Sequence, residues 1–416
     1  MHMIDLSYSA VCRSLGLHDQ IAGFQSQWDR AAEEFHVDGD WLPTPQVAAD
    51  YCNWIGMDEK ISSSVVEGAR LLRTQPPLVM LAWQYYWAMS IRPLPPIPWV
   101  HLPAVLGLAG RMFQVVVVLS GIPRYRHEHS QRGIPGEVTR DNLAVIELWM
   151  RNYFARFGEW GLERGSWIKE HLSGRLVRLG RLEFGISKYE FSFTILKQRG
   201  GGRQVLALAD SGMHFREDGR FYNAQGTNPS EGGWKAQLQI GDQFITGHPV
   251  VDPNVVSRLP LSLEKSEWEI VLEAGDPVLD VHIPAQGKLG PASCDEAFAR
   301  ALMFFPKYYP EHAFKAFTCG SWLVDPQFTQ LMPGSNMAAF AHRFHHMPHG
   351  VANDDQAYEL GLGGRRPLNE LPRDTSLRRT LVEHLEKGGH WWYTNGVVLR
   401  EEVSVDPSQI HRLQGF

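Results

Sequence analysis

The sequence predicts an α+β protein: an all-helical N-terminal domain over residues 1–165, then a mostly antiparallel sheet domain with flanking helices over residues 166–416. Three observations carry this. Up to about Gly165 the apolar residues recur near helical spacing. Beyond it they alternate or run at strand length between glycine-rich turns. Helical spacing then returns in separate stretches, which suits helices laid against a sheet.

In chain order, Trp28, Ala31, Ala32 and Phe35 form one helical stripe, and Pro45 begins a helix with Val47, Ala48, Tyr51, Cys52 and Ile55 inward. Ser62 or Ser63 is the expected cap of a third helix carrying Val66, Ala69 and Leu72. Pro76–Ile91 and Leu102–Leu119 are apolar but interrupted by Gln84, Arg111 and Gln114, so they read as buried helices rather than membrane spans. The proline run Arg92–Pro98 connects them. Thr139 and Asp141 mark the start of a long helix that ends near Gly158.

In the second half, Leu176–Phe184 and Tyr189–Leu196 read as strands. Hairpin turns are expected at Arg199–Arg203, Asp218-Gly219 and Ile240–Gln243. A strand at Val278–Ile283, a loop at Pro284–Ala292 and a helix from about Cys294 follow. Then come a strand at Phe314–Val324, a helix in two pieces from Pro326 to Phe344, a helix capped by Asp374 or Thr375, and an aromatic strand at Trp391–Leu399.

The chain has 416 residues and 40 Lys+Arg against 46 Asp+Glu, so it lacks the basic surplus that a phosphate-neutralising nucleic-acid binder needs. With 44% hydrophobic and 21% charged residues it is neither a disordered tail nor a collagen-like rod. Met1–Leu15 carries Asp5 and Arg13 and lacks a basic-then-apolar leader, so a cytoplasmic location is expected. Cys12, Cys52, Cys294 and Cys319 are widely spaced and read as reduced thiols.

Several short segments resemble a bacterial family of acyltransferase-domain proteins. They are Gly133-Ile-Pro-Gly-Glu-Val-Thr-Arg-Asp141, Arg178-Leu-Gly-Arg-Leu-Glu-Phe184, Val281-His-Ile-Pro284, Ser321-Trp-Leu-Val-Asp-Pro326, Leu371–Leu377 and Gly388-Gly-His-Trp391. The resemblance runs from about Trp28 to Leu399 and implies a helical N-acyltransferase N-terminal domain joined to a GNAT-like C-terminal domain. In that fold a strand meets the pantetheine arm of coenzyme A, and a loop with a helix N-terminus holds the pyrophosphate. Mapped here, Val278–Ile283 is that strand, and Ile283, Gln286, Gly287, Lys288 and Gly290 are the expected coenzyme A contacts. Glycines admit phosphate to backbone N–H groups, Lys288 adds a cation, and a helix N-terminus favours an anion. The glycine spacing departs from the usual one, so a polar surface turn is the plainer alternative.

Moving an acyl group from a thioester to an amine needs a base, an oxyanion donor and an acid for the leaving thiolate. Asp280 and His282 alternate with apolar residues and so share one strand face, which makes His282 the candidate base. A structural histidine is the alternative. Cys319 and Ser321 share a face of the next strand, as a thiol nucleophile and a hydroxyl donor; a small buried hydrophobe is the plainer reading of Cys319. In the family a histidine commonly follows this cysteine, whereas here it is Gly320. Tyr393 is a candidate acid, with aromatic core packing as its alternative. Arg178, Arg181 and Glu183 read as an ion-paired seam between domains, or as a substrate-recognising arginine. The cluster His342-Arg-Phe-His-His-Met-Pro-His349 has one helical His pair but lacks the His-Glu-x-x-His pattern, so it reads as a polar pocket edge and no metal is expected.

The resulting expectation is an acyl-CoA-dependent N-acyltransferase acting by direct attack of a small-molecule amine, with the helical domain over the cleft. No nucleic-acid or membrane partner is expected. Ping-pong transfer through Cys319 is a variant. The rival is a non-catalytic small-ligand-binding protein on a degenerate GNAT-like scaffold, and a weaker third is a metal-dependent hydrolase.

Overall fold

Prolines and short polar side chains start the helices of the N-terminal half. The computed structural model describes residues 5–35, 40–91, 99–201, 204–222, 233–348 and 354–404. Its helices are α1 (Tyr8–Leu15), α2 (Trp28–Glu33), α3 (Pro45–Ile55), α4 (Glu59–Arg73), α5 (Pro76–Tyr86), α6 (Gly107–Ser120), α7 (Ile122–Gln131), α8 (Gly136–Leu143), α9 (Val145–Phe157) and α10 (Gly165–Leu172). They belong to the first of two compact units, Met1–Arg178 and Leu179–Gly415.

Thr44 caps α3 through the Val47 amide. Asp58, not Ser62 or Ser63, caps α4, because its carboxylate reaches the Lys60 amide at 2.9 Å. Ser63 and Ser64 turn back onto the carbonyls of Glu59 and Lys60. Residues 92–98, with their prolines, lie outside the described residues. The centre of the unit is α6, whose Val115 to Leu119 are fully buried. It meets α4 at Gly68, where any side chain would run into Met112. The stretch Ala104–Gln131 is long and apolar enough to cross a membrane by length and composition, but 67% of its apolar window is buried inside the protein.

The helix expected to start at Thr139 begins earlier, at Gly136, and is interrupted at Ala144 between α8 and α9. Thr139 is therefore interior to α8, with its hydroxyl on His129 Nδ1 at 3.0 Å. Burial lowers the pKa of His129 to about 4, which keeps it neutral. Asn142 is the hub of this region. Its amide donates to the Tyr125 hydroxyl at 2.7 Å and to the Leu176 carbonyl at 3.1 Å, while its oxygen meets His171 Nδ1 at 2.8 Å and the Arg178 amide at 2.9 Å. Replacing Asn142 with leucine strips three buried polar groups and one half-buried amide of this partner. The substitution is expected to lower unfolding stability by about 3 kcal/mol, measured by denaturant titration.

The second unit is built on strands β1 (Leu176–Leu179), in which the boundary falls, β2 (Leu182–Lys188), β3 (Phe193–Gln198), β4 (Val205–Ala209), β5 (His214–Phe215), β6 (Trp234–Lys235), β7 (Gln239–Ile240), β8 (Phe244–Asp252), β9 (Val255–Val256), β10 (Leu261–Glu264), β11 (Trp268–Leu272) and β12 (Pro277–His282). Helix α11 (Pro291–Tyr308), strand β13 (Ala316–Ser321), helices α12 (Gln327–Leu331) and α13 (Asn336–Ala341), strand β14 (His345–Met347), helix α14 (Ser376–Glu386) and strand β15 (Thr394–Leu399) follow. One sheet has the order β1-β2-β12-β13-β15-β14; the other runs β10-β8-β4-β3-β11, with β7 and β9 also on β8.

The β3–β4 hairpin forms as expected, with Leu196 opposite Leu206; Gly202 and Arg203 of its turn lie outside the described residues. Gly219 turns at a φ of 81°, and the Gly241 amide closes the β7–β8 turn on Phe244. Helix α11 starts at Pro291, three residues before the expected Cys294, since proline at the first helical position has no amide to satisfy. Thr375 caps α14. The last strand begins at Thr394 rather than Trp391, because carboxylates capture the amides ahead of it: Trp391 N–H goes to Asp354 at 2.5 Å and Trp392 N–H to Asp325 at 2.7 Å.

Two apolar layers flank the first sheet. On one face Phe184, Phe298 and Phe317 pack edge to face, with centroids 4.9 to 5.8 Å apart, and fix α11. On the other, Val278, Ala316, Val397 and Leu399 join Phe193, Ile195, Ala207 and Ala209 of the second sheet in a common core.

Candidate active site

The strands β12 and β13 are parallel neighbours that separate before they end. Their ladder pairs Val278 with Ala316, Leu279 with Phe317 and Asp280 with Thr318, and it stops there. Each strand continues on its outer side. β12 stays paired with β2 as far as His282 opposite Glu183, and β13 stays paired with β15 as far as Ser321 opposite Thr394. A wedge therefore opens at the C-terminal ends of the two parallel strands, leaving inner backbone edges without ladder partners. In open sheets with parallel strands this is where ligands settle.

The register decides which side chains line the wedge. Asp280 lies beside Thr318, so Glu183, Asp280, His282, Thr318, Gly320 and Asn395 share one face of the sheet. His282 Nε2 sits 3.2 Å from Asp280 Oδ2, and the Thr318 hydroxyl donates to Asp280 Oδ1 at 3.2 Å. Asp280 thus orients His282 while being held by Thr318. Both side chains are about one-third exposed, accessible yet fixed. Glu183 is buried across the ladder from His282.

Gly320 leaves its side-chain space to another residue. A Cβ at this position would collide with the Tyr393 hydroxyl and lie 3.2 Å from Asn395 Oδ1. The phenol occupies the space that a side chain at 320 would fill, so Tyr393 stands on the His282 face. Burial, together with Cys319 and Asp280, pushes its pKa up to about 12, which keeps the phenol a proton donor.

Cys319 and Ser321 alternate onto the opposite face, toward the α11 layer, and do not join His282. Cys319 is 1% exposed, and burial raises its thiol pKa well above the ordinary value, the reverse of what a nucleophile needs. The Ser321 hydroxyl oxygen accepts the Leu323 amide at 3.1 Å and caps the turn Trp322–Val324.

The expected coenzyme A loop follows β12. Ile283 is half-buried, Gln286, Gly287 and Lys288 are exposed, and Gly287 has a φ of 77°, which only glycine adopts easily. The loop leads through Gly290 into the 18-residue α11. Arg181 donates to the carbonyls of Lys288 (3.1 Å) and Gly287 (3.3 Å), stapling the loop to the turn between β1 and β2. Arg343 pairs with Asp295 and donates to the Pro291 carbonyl at 3.1 Å, placing a second guanidinium in the first turn of α11. The sequence reading missed Arg343, whose signal was masked by the histidines around it.

The histidine cluster divides. His345 Nε2 meets Glu402 Oε1 at 2.7 Å, while burial lowers the pKa of His346 to about 4. His349 lies outside the described residues. Among the described residues no group of three His, Cys, Asp or Glu side chains is placed to hold a metal.

Comparison with known proteins agrees with this fold. The family described as GNAT-like C-terminal domain matches residues 176–398, and the one described as N-acyltransferase N-terminal domain matches residues 47–174. The first match spans more than half of the chain, and the chain belongs to that family. No curated protein matches it. Among solved structures it is similar to an acyltransferase mutant in complex with octanoyl-CoA, with a TM-score of 0.66, 23% identity, and coverage of 94% of this chain and 99% of that one. It is also similar to an acyltransferase in complex with decanoyl-CoA and teicoplanin (TM-score 0.65, 24% identity, 94% of this chain and 98% of that one). A third is an acyltransferase in complex with CoA and 10C-teicoplanin (TM-score 0.66, 24% identity, 94% and 98%). At these identities the likeness establishes the fold, over nearly the whole of both chains.

Proposed function

We propose that this chain is an acyl-CoA-dependent N-acyltransferase that moves an acyl group from a thioester to the amine of a small molecule. The observation that carries the reading is the wedge between β12 and β13, with His282 and Tyr393 on one of its faces and a cationic helix N-terminus after β12. The pantetheine arm lies along the inner edge of β12 beyond Asp280. The pyrophosphate rests at the start of α11, near Gly287, Lys288, Gly290 and Arg343, where helix amides and cations converge on an anion. Support for the donor comes from the fold's relatives, whose structures hold octanoyl-CoA and decanoyl-CoA. Support for a small-molecule acceptor comes from those that hold teicoplanin.

In this reading the acceptor nitrogen attacks the thioester carbon directly. His282, oriented by Asp280, takes the proton released as the C–N bond forms. Backbone N–H groups on the inner edge of β12, beyond its ladder with β13, steady the oxyanion. The C–S bond then breaks, and the thiolate takes its proton from Tyr393. Transfer through Cys319 finds no support in its burial and facing. The non-catalytic rival rested partly on Gly320, and the phenol above that glycine supplies a donor in the lost side chain's place. Four buried free cysteines accord with a cytoplasmic location.

Isothermal titration with octanoyl-CoA tests the binding half of this reading. Micromolar affinity is expected, weakened about tenfold or more in Arg343→Ala and by a smaller factor in Lys288→Ala, whose side chain is exposed. The absence of binding by the wild-type protein overturns the assignment.

A further inference from the structure

A further histidine–carboxylate pair stands outside the assignments made above. His390 Nδ1 lies 3.0 Å from Asp354 Oδ2, and Asp354 is 3% exposed. The other oxygen of that carboxylate accepts the Trp391 amide. A neutral imidazole that donates Nδ1–H to Asp354 leaves Nε2 as its bare nitrogen. Among the described residues Nε2 has no hydrogen-bond partner, and the side chain is 38% exposed. The backbone at 390 is fixed as well: its carbonyl accepts from Gln327 Nε2 at 2.9 Å and His384 Nε2 at 3.2 Å. A buried carboxylate that positions an accessible imidazole is the arrangement of an oriented base.

Topology puts this pair at the same end of the sheet as the wedge. His390 lies just ahead of Thr394, which pairs with Ser321 at the C-terminal end of β13. The Trp392 amide is held by Asp325, the residue that follows the turn out of β13. That is the same end of the sheet at which the β12–β13 ladder opens. The ionisable groups facing His390 are Asp354 on its own side, Asp325 beyond it, and His384 at its carbonyl.

We propose that His390, positioned by Asp354, is an acceptor-side base, distinct from His282, that takes the first proton from the incoming ammonium. The proposal rests on the acyl-transfer reading above. An alkyl amine with a pKa of about 10 arrives at neutral pH almost wholly protonated, and its nitrogen has no lone pair until one proton leaves. That proton goes to His390 Nε2 and then to solvent. The neutral amine attacks, the C–N bond forms, and its second proton goes to His282. The C–S bond breaks and the thiolate is protonated by Tyr393, whose phenolate recovers the proton held by His282. One ammonium and one thioester become one amide, one thiol and one solvent proton. Asp354 is a positioning residue in this scheme.

The test uses the whole chain with octanoyl-CoA as donor and two acceptors that differ in charge: 2-phenylethylamine, an ammonium at pH 7, and aniline, which is neutral there. For His390→Gln, kcat/KM toward 2-phenylethylamine is expected to fall about 100-fold at pH 7 and to recover as pH approaches 10, with less than a threefold loss toward aniline. Asp354→Asn, which keeps the side-chain size, is expected to show the same acceptor-dependent pattern at smaller amplitude. Octanoyl-CoA affinity should be unchanged in both. Equal losses toward both acceptors, or a loss independent of pH, overturn the proposal while leaving acyl transfer intact. Failure of the wild-type chain to acylate either amine overturns the acyl-transfer reading itself, and this proposal with it.

Discussion

Replacing Tyr393 with phenylalanine is expected to lower kcat for acyl transfer by about 100-fold while octanoyl-CoA affinity changes little. The phenol is the donor nearest to Gly320, and burial keeps it protonated by pushing its pKa up to about 12. Without it the departing thiolate loses the phenol as its proton donor at the mouth of the wedge. Gly320→Ala makes the same point from the other side. A methyl group at 320 collides with the Tyr393 hydroxyl, so the ring must move and turnover should drop comparably. The two substitutions disable one device, and the double variant should be scarcely worse than either single one. Full activity in Tyr393→Phe would reduce the tyrosine to packing.

The second large effect is at His282. His282→Ala is expected to cost 10²–10⁴ in kcat/KM, the usual weight of a general base. Asp280→Asn should cost less, because asparagine keeps the size but no longer fixes the imidazole 3.2 Å away as a carboxylate does. Steady-state kinetics with octanoyl-CoA and an amine excess, alongside circular dichroism to confirm folding, reads both. A normal turnover in His282→Ala would remove this residue from the chemistry.

Much of the fold was legible because local rules wrote it. Alternation announced β12, Thr375 and Gly388 bracketed α14, and glycines marked the β3–β4 and β7–β8 turns. The candidate site was only half legible, since its assembly depends on register between distant strands. Pattern alone shows that Asp280 and His282 share a face and that Cys319 and Ser321 share a face. It does not show that the pairing of Asp280 with Thr318 turns those two faces opposite ways. The relation of Gly320 to Tyr393 likewise needs the β13–β15 ladder. Arg343 was hidden among histidines that drew attention to metal chemistry. The Asp354–His390 pair joins residues 36 positions apart, and no spacing rule links them. Strand Trp391–Leu399 came out shorter than expected for a related reason: the carboxylates that hold Trp391 and Trp392 come from elsewhere in the chain. Among the segments that carry the family resemblance, Val281–Pro284 and Ser321–Pro326 lie at the open ends of β12 and β13.

The most direct measurement is a crystal structure of the chain with a thioether analogue of octanoyl-CoA, which cannot be cleaved. The account predicts the pantetheine arm between β12 and β13 beyond Asp280 and Thr318, the sulfur facing Tyr393, and the pyrophosphate at the start of α11 beside Lys288 and Arg343. An analogue bound elsewhere, with the wedge empty at saturating concentration, would contradict it.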